Sequence, residues 1–327
     1  MTQTTGAHMH ANPPTRMGRR LLLSAVALGA TGALAGCGRF IDPVVHGTNS
    51  ITPPPAPRPD PEVVAAVAEL GEHLALVTST AVAAQPWAAG VAAMLNAHLE
   101  VLRSRDPLSG MATPEPWITP GPATLPAATG GPQAAVSASA AKLADAHAAR
   151  ADQASTPAEV LLWGSLSVAT RLNAGPGPAA VAGALPRPVM FGSQVDARNV
   201  VLGHLHALAQ LLEMGVGRLT GQARAAHETR LTQVRALVVG EQSMIRQLGG
   251  DPVAPLPGYS YPGPVGTDAQ LGATWALVER QVFTAWGPVV ATAAANARPG
   301  VLGLMLTQGA AVRARGLGTA YFPGWGA

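Results

Sequence analysis

Residues 267–290 read TDAQLGATWALVERQVFTAWGPVV, and this stretch decides the fold. Thr267, followed three positions later by Gln270, is a capping pair whose side chains can bond each other's backbone N–H groups at a helix start. From Leu271 onward Trp275, Val278, Val282, Trp286 and Val289 recur at steps of three and four. That spacing lines one face of a helix with 3.6 residues per turn. A strand would alternate every second residue, and no stretch of useful length in the chain does so. Glu279 shares its helix face with Trp275, Phe283 and Trp286, at offsets of −4, +4 and +7. A carboxylate on such a face is partly desolvated, so it pairs with an arginine or edges into solvent.

Working outward, the same periodicity predicts three more helices around this one. Ser193 to Asp196 opens a helix carrying Val201, Leu205, Leu208 and Leu212. A turn near Gly221 leads to another with Leu231, Val234, Val238, Ile245 and Leu248, stopped by Gly249, Gly250 and Pro252. Pro299 starts a last helix through Leu302, Leu306, Ala310 and Arg313. The earlier chain repeats the plan. Asp60 and Pro61 start a helix with Val63, Val67, Leu70, Leu74 and Val77, and a second carries Val91, Leu95, His98 and Leu102. A third carries Val136, Ala140, Leu143 and His147, and Thr156, Pro157 and Glu159 cap a fourth through Leu172.

Each set is two helices, a Pro/Gly-rich connection (106–132 or 251–266), then two helices. A helix of about 25 residues is about 37 Å long at 1.5 Å per residue, a length such connections can span. The spacing therefore permits the one-crossover connectivity of ferritin-like bundles. The expected fold is all-α: two ferritin-like four-helix bundles, or one duplicated helical array. The expected divisions are a bundle at 60–175, a connection at 176–192 around Gly175 to Pro178, and a ferritin-like domain at 193–327.

Short motifs give the second set a likeness. Gln247-Leu248-Gly249-Gly250-Asp251-Pro252 closes its second helix, Ala276-Leu277-Val278-Glu279-Arg280 lies midway along its third, and Tyr321-Phe322-Pro323-Gly324 ends the chain. On these residues 195–327 resemble the ferritin-like domain of unknown function found in actinobacterial lipoproteins. The first half, with Trp163-Gly164-Ser165-Leu166, is similar to the degenerate bundle that precedes it in such proteins. The resemblance implies a fold and an anchored location; it carries no established activity.

The N-terminal residues point to the same location. Met17-Gly18-Arg19-Arg20 is followed by an apolar run from Leu21 to Leu34 and then by Leu34-Ala35-Gly36-Cys37. This is the order of a signal peptide: charged region, hydrophobic region, small-residue cleavage site. The run is shorter than the ~20 residues of a spanning helix. Leu34, Ala35, Gly36 and Cys37 resemble the lipobox of bacterial lipoproteins. That resemblance implies cleavage after Gly36 and a diacylglyceryl group on Cys37, giving two acyl chains for stable anchoring. Arg19 and Arg20 also resemble a twin-arginine export signal, with the general export route as the alternative. Met17 is the more natural start, with Met1 as the alternative. Residues 1–36 are then the signal peptide, and 37–59, with Thr52 to Pro59, the lipidated residue and a semi-rigid proline-rich spacer. The protein is expected at the outer face of the cytoplasmic membrane, held there by lipid.

Charge narrows the partners. The chain has 21 Lys and Arg against 18 Asp and Glu, but Arg16, Arg19 and Arg20 lie in the leader, leaving a balanced 18 against 18. Nucleic-acid binding needs clustered cations to displace counterions, so that class is set aside. The single cysteine cannot form an internal disulfide.

A ferritin-like di-iron site needs Glu-x-x-His on two helices and a Glu on each of the others. No Glu-x-x-His occurs, and the helix from Pro299 to Gly316 has neither an acid nor a histidine. No metal, cofactor or catalytic residue is therefore expected. Glu213 and His227 lie at similar heights on antiparallel helices and are expected to share a hydrogen bond, with Glu241 about 18 Å further along. His98 and His147 fall on apolar stripes and read as core histidines; His204 and His206, two apart, cannot chelate together. Tyr259 to Tyr261 and Tyr321 to Trp325 form either a binding edge or seals for the bundle ends. No phosphate loop or nucleophile elbow is present. The functional expectation is a non-enzymatic, membrane-tethered helical module for an envelope protein or small ligand. The alternative is a metalloprotein with a reduced site drawn from Glu213, His227 or Glu279.

Overall fold

The computed structural model describes residues 58–111, 115–123 and 131–326. Arg19, Arg20, Leu34, Ala35, Gly36 and Cys37 lie outside the described residues, as does most of the proline-rich spacer. The body is all-α: α1 (Pro61–Thr78), α2 (Thr80–Ala83), α3 (Ala88–Leu102), α4 (Pro132–Gln153), α5 (Pro157–Leu172), α6 (Gln194–Arg218), α7 (Gly221–Gln247), α8 (Asp268–Thr292), a 3₁₀ turn (Ala295–Ala297) and α9 (Arg298–Ala314). Periodicity predicts eight of these; α2 and the 3₁₀ turn are too short to carry a period.

The starts are chemical. The Asp60 carboxylate accepts from the Glu62 N–H at 2.8 Å. Capping boxes close at Thr156 with Glu159, Ser193 with Asp196, and Thr267 with Gln270. α7 is the exception: its N-cap Thr220 makes no side-chain bond, and its first turn holds no acid. α7 ends on Gly249 at φ 78°, with the Gly250 N–H bonded to the Ile245 carbonyl at 2.9 Å.

One pairing scheme occurs twice. α1 packs against α3 and α4, and α4 against α5; α6 packs against α7 and α8, and α8 against α9. The sets meet through α5, which also packs on α8 and α9, and the chain from Pro57 onward forms one compact unit. α5 is suited to this place. Nearly every residue from Ala158 to Thr170 is buried, as befits a helix that is apolar all round. Leu161, Leu162 and Trp163 join a first core with Leu70, Leu95 and Leu102. Val160 and Val168 join a second with Val201, Leu205, Leu208 and Val282. Among the described residues α6 alone is long and apolar enough to cross a membrane, by length and composition. Its Val201, Leu202, Leu205, Leu208, Leu211 and Leu212 are fully buried inside the body.

After α9 the chain turns at Gly316 (φ 82°) and runs back toward the first set. Ala320 forms a bridge with Val181: the Val181 N–H donates to the Thr319 carbonyl and the Tyr321 N–H to the Val181 carbonyl, both at 2.9 Å. Phe322 and Trp325 then enter the first core. Gly324 lies directly on Gly287 of α8, where a Cβ on Gly287 would overlap the Gly324 backbone.

Candidate functional site

The centre of the second set is polar. On α8, Trp275 and Glu279 stand one turn apart, and the indole N–H donates to Glu279 Oε1 at 2.8 Å. Arg230 of α7 reaches the same carboxylate in two prongs, Nε to Oε1 and Nη2 to Oε2, both at 2.8 Å. Gln308 of α9 donates to Glu279 Oε2 at 2.6 Å and to the Glu279 carbonyl at 2.9 Å, and accepts from Arg230 Nη2 at 2.8 Å. Arg230 Nη1 donates to Gln233 Oε1 at 3.0 Å. Glu279 is 1% exposed, Gln308 2% and Arg230 8%. A buried ion pair survives desolvation when its remaining lone pairs and protons are satisfied, and here both carboxylate oxygens are.

Glu279 thus has the arginine partner that its apolar face calls for. Arg230 and Gln308 are the residues that sequence reasoning missed. Gln308 was legible as a polar residue inside the apolar stripe Val301, Met305, Val312, and Arg230 as a charge one step before Leu231. A second closed pair lies toward the other end of α6 and α7: Arg198 Nη1 donates to both Glu241 oxygens, at 2.9 and 2.7 Å. Burial raises the Glu241 carboxyl above its ordinary value, against the pull of Arg198.

Beside the first network lies a cleft of about 450 Å³ between α7 and α9, floored by Trp275 and Glu279 of α8 and lined by Gln222, Arg230, Gln233 and Arg315. The Arg315 guanidinium sits 3.8 Å from the Trp275 ring centroid, a cation–π distance. The His227 ring lies 4.3 Å from the same indole, and its Nδ1 bonds the Ala223 carbonyl at 2.9 Å.

The hydrogen bond expected between Glu213 and His227 does not form. His227 packs under Gly215, where a Cβ would overlap its ring, and Glu213 accepts from Arg235 at 2.8 Å on the surface. Residues two apart on a helix point about 200° from each other, so a histidine facing Gly215 has Glu213 turned away. Glu213, His227 and Glu279 are therefore not brought together. Among the described residues no three His, Asp, Glu or Cys side chains are placed to hold a metal ion. His204 and His206 are half-buried, and burial lowers both.

The first set carries buried histidines instead. His98 and His147 are fully buried, as their stripes imply, and His73 joins them at 2% exposure. His73 Nδ1 meets Ser139 Oγ at 2.9 Å. His98 Nε2 meets the Tyr321 carbonyl at 2.7 Å, so the nitrogen donates, and its ring lies 5.1 Å from Phe322. Burial lowers His73 and His98 to about 4. His147, which stacks on Trp163, is held well below its ordinary value by burial and by His98, Arg150 and His73 nearby. Its two ring nitrogens have no hydrogen-bond partner. Arg150 spans from this region to Glu69 in two prongs, at 2.8 and 3.1 Å.

The aromatic ends resolve into seals and local bonds. Phe322 and Trp325 close the first core, Tyr259 accepts from the Leu256 N–H at 2.9 Å, and Tyr261 donates to Gln210 at 3.0 Å.

No curated protein and no solved structure matches the chain. Residues 198–326 match the family model of a domain of unknown function (DUF4439), a domain of ferritin-like type. The match opens at Arg198 and takes in Arg230, Glu279, Gln308 and Arg315, so the closed ion pairs and the cleft all belong to the matched domain.

Proposed function

We propose that this chain is an exported lipoprotein, tethered through Cys37 to the outer face of the cytoplasmic membrane, whose pair of ferritin-like bundles serves as a binding module rather than an enzyme. The observation that carries the second part is the closure of the interior carboxylates: Glu279 is held by Arg230, Trp275 and Gln308, and Glu241 by Arg198. Each of these carboxylates is already neutralised by a guanidinium rather than left open to a cation, which favours a structural role for the interior. The first part is supported by the run from Met17 to Cys37, which has the order of a bacterial lipoprotein leader.

Two measurements test this reading. Cys37→Ala is expected to abolish acyl labelling and release the protein from membranes; unchanged membrane retention overturns the anchor. Protein purified after growth with iron and manganese is expected to carry no stoichiometric metal. Bound metal that disappears in Glu279→Ala overturns the binding-module reading in favour of a metalloprotein.

A further inference from the structure

We propose that the cleft between α7 and α9 binds a small organic carboxylate carried on a flat ring, a reading that rests on, and deepens, that of the body as a binding module. The cleft exists because α7 and α9 face each other through Ala225, Ala226, Ala311 and Ala314, whose methyl groups leave about 450 Å³ unfilled. That volume is within the ordinary range of small-molecule sites, roughly 300–1,000 Å³.

Its charge has one sign. Glu279 is the one acid among the lining residues, and both its oxygens already accept from Arg230, Trp275 and Gln308. Arg315 is exposed and has no carboxylate partner among the described residues; its guanidinium rests on the Trp275 ring. α7 begins beside it without a side-chain cap and without an acid in its first turn, and Gln222 from that turn lines the cleft. The free N–H groups of an uncapped helix start carry partial positive charge. One guanidinium without a carboxylate partner and one indole thus meet in a single hollow flanked by the first turns of α7.

These groups select a ligand class. A guanidinium meets a carboxylate in a two-pronged, charge-assisted pair. An indole prefers a flat ring against it in offset or tilted contact. Arg315 swings from Trp275 to the carboxylate, and the ligand ring takes its place on the indole. A hollow with Trp163, between Asp60, Glu62, Asp106 and Glu159, offers less. Asp60, Asp106 and Glu159 are already engaged in capping or turning their own backbone.

The test uses the purified full-length chain and saturation-transfer NMR, with benzoate as probe and benzamide as its uncharged counterpart. Benzoate is expected to bind saturably, benzamide about tenfold more weakly, and Arg315→Gln to weaken benzoate by about the same factor. Because Arg315 is exposed, that variant is expected to melt with the parent protein. Absence of saturable benzoate binding, equal binding of benzamide, or an unchanged affinity in Arg315→Gln overturns the proposal. Membrane release of Cys37→Ala and the metal content are read separately, so failure here removes the ligand class and leaves the anchored module standing.

Discussion

Arg230 on α7 and Glu279 on α8 face each other through two hydrogen bonds of 2.8 Å, and the Glu279 side chain is only 1% exposed. Removing Arg230 strands a buried carboxylate without its partner charge, which costs about 3–5 kcal/mol. Arg230→Met is therefore expected to lower the urea midpoint sharply. The double variant Arg230→Met/Glu279→Leu is expected to recover most of the loss. A double variant as unstable as the single one would show that the pair is not the source.

The surface pair Arg235–Glu213 gives the opposite expectation. Both side chains are more than half exposed, and such pairs contribute about 0–1 kcal/mol. Glu213→Ala is expected to leave the urea midpoint nearly unchanged, whereas Arg198→Met, which strands Glu241, falls with Arg230→Met. Similar losses at Glu213 and Arg198 would contradict the burial contrast.

The buried histidines make the first core acid-sensitive. Burial lowers His73 and His98 to about 4 in the fold, against 6.5 when solvated, and His147 is likewise held well below its ordinary value. Between those values the unfolded chain binds more protons than the folded one, so stability rises with pH. It is complete above 6.5 and declines as pH falls from 6.5 toward 4. At 1.36 kcal/mol per pKa unit His73 and His98 each withdraw up to about 3 kcal/mol. Urea midpoints measured at pH 7 and pH 5 are expected to differ clearly, and less so in His147→Phe. Identical midpoints would falsify this account.

Gly287 is constrained by the Gly324 backbone lying upon it. Gly287→Ala is expected to push the C-terminal segment off α8 and drag Phe322 and Trp325 partly out of the first core, destabilising by about 2–4 kcal/mol. Faster hydrogen exchange at the Tyr321 N–H, which bonds the Val181 carbonyl, is the direct readout. Wild-type protection there, with lost stability, would place the damage elsewhere.

What could be read from sequence was local. Caps at Asp60, Thr156, Ser193 and Thr267 and the stripes between them depend on neighbours a few residues away, and the helices follow from them. The need of Glu279 for a partner was equally local, since three large apolar residues share its face. That Arg230 and Gln308 are its partners was not legible, although each stands out on its own helix, because they arrive from other helices whose rotation is set by packing. Glu213 shows the limit most clearly: its height beside His227 followed from counting residues, but its direction depended on Gly215 two positions on. The sharing of α5 between two cores was hidden for the same reason, although its almost wholly apolar sequence from Val160 to Ala169 carried the hint.

The C-terminal segment bears on how the chain is made. The first core is completed by Phe322 and Trp325, more than two hundred residues after His98, whose Nε2–H donates to the Tyr321 carbonyl. A ribosome delivers these residues only after the whole second set, so the N-terminal set cannot close as it emerges, and the usual sequence of N-terminal folding first is suspended. The half that is synthesised first is the half that is finished last.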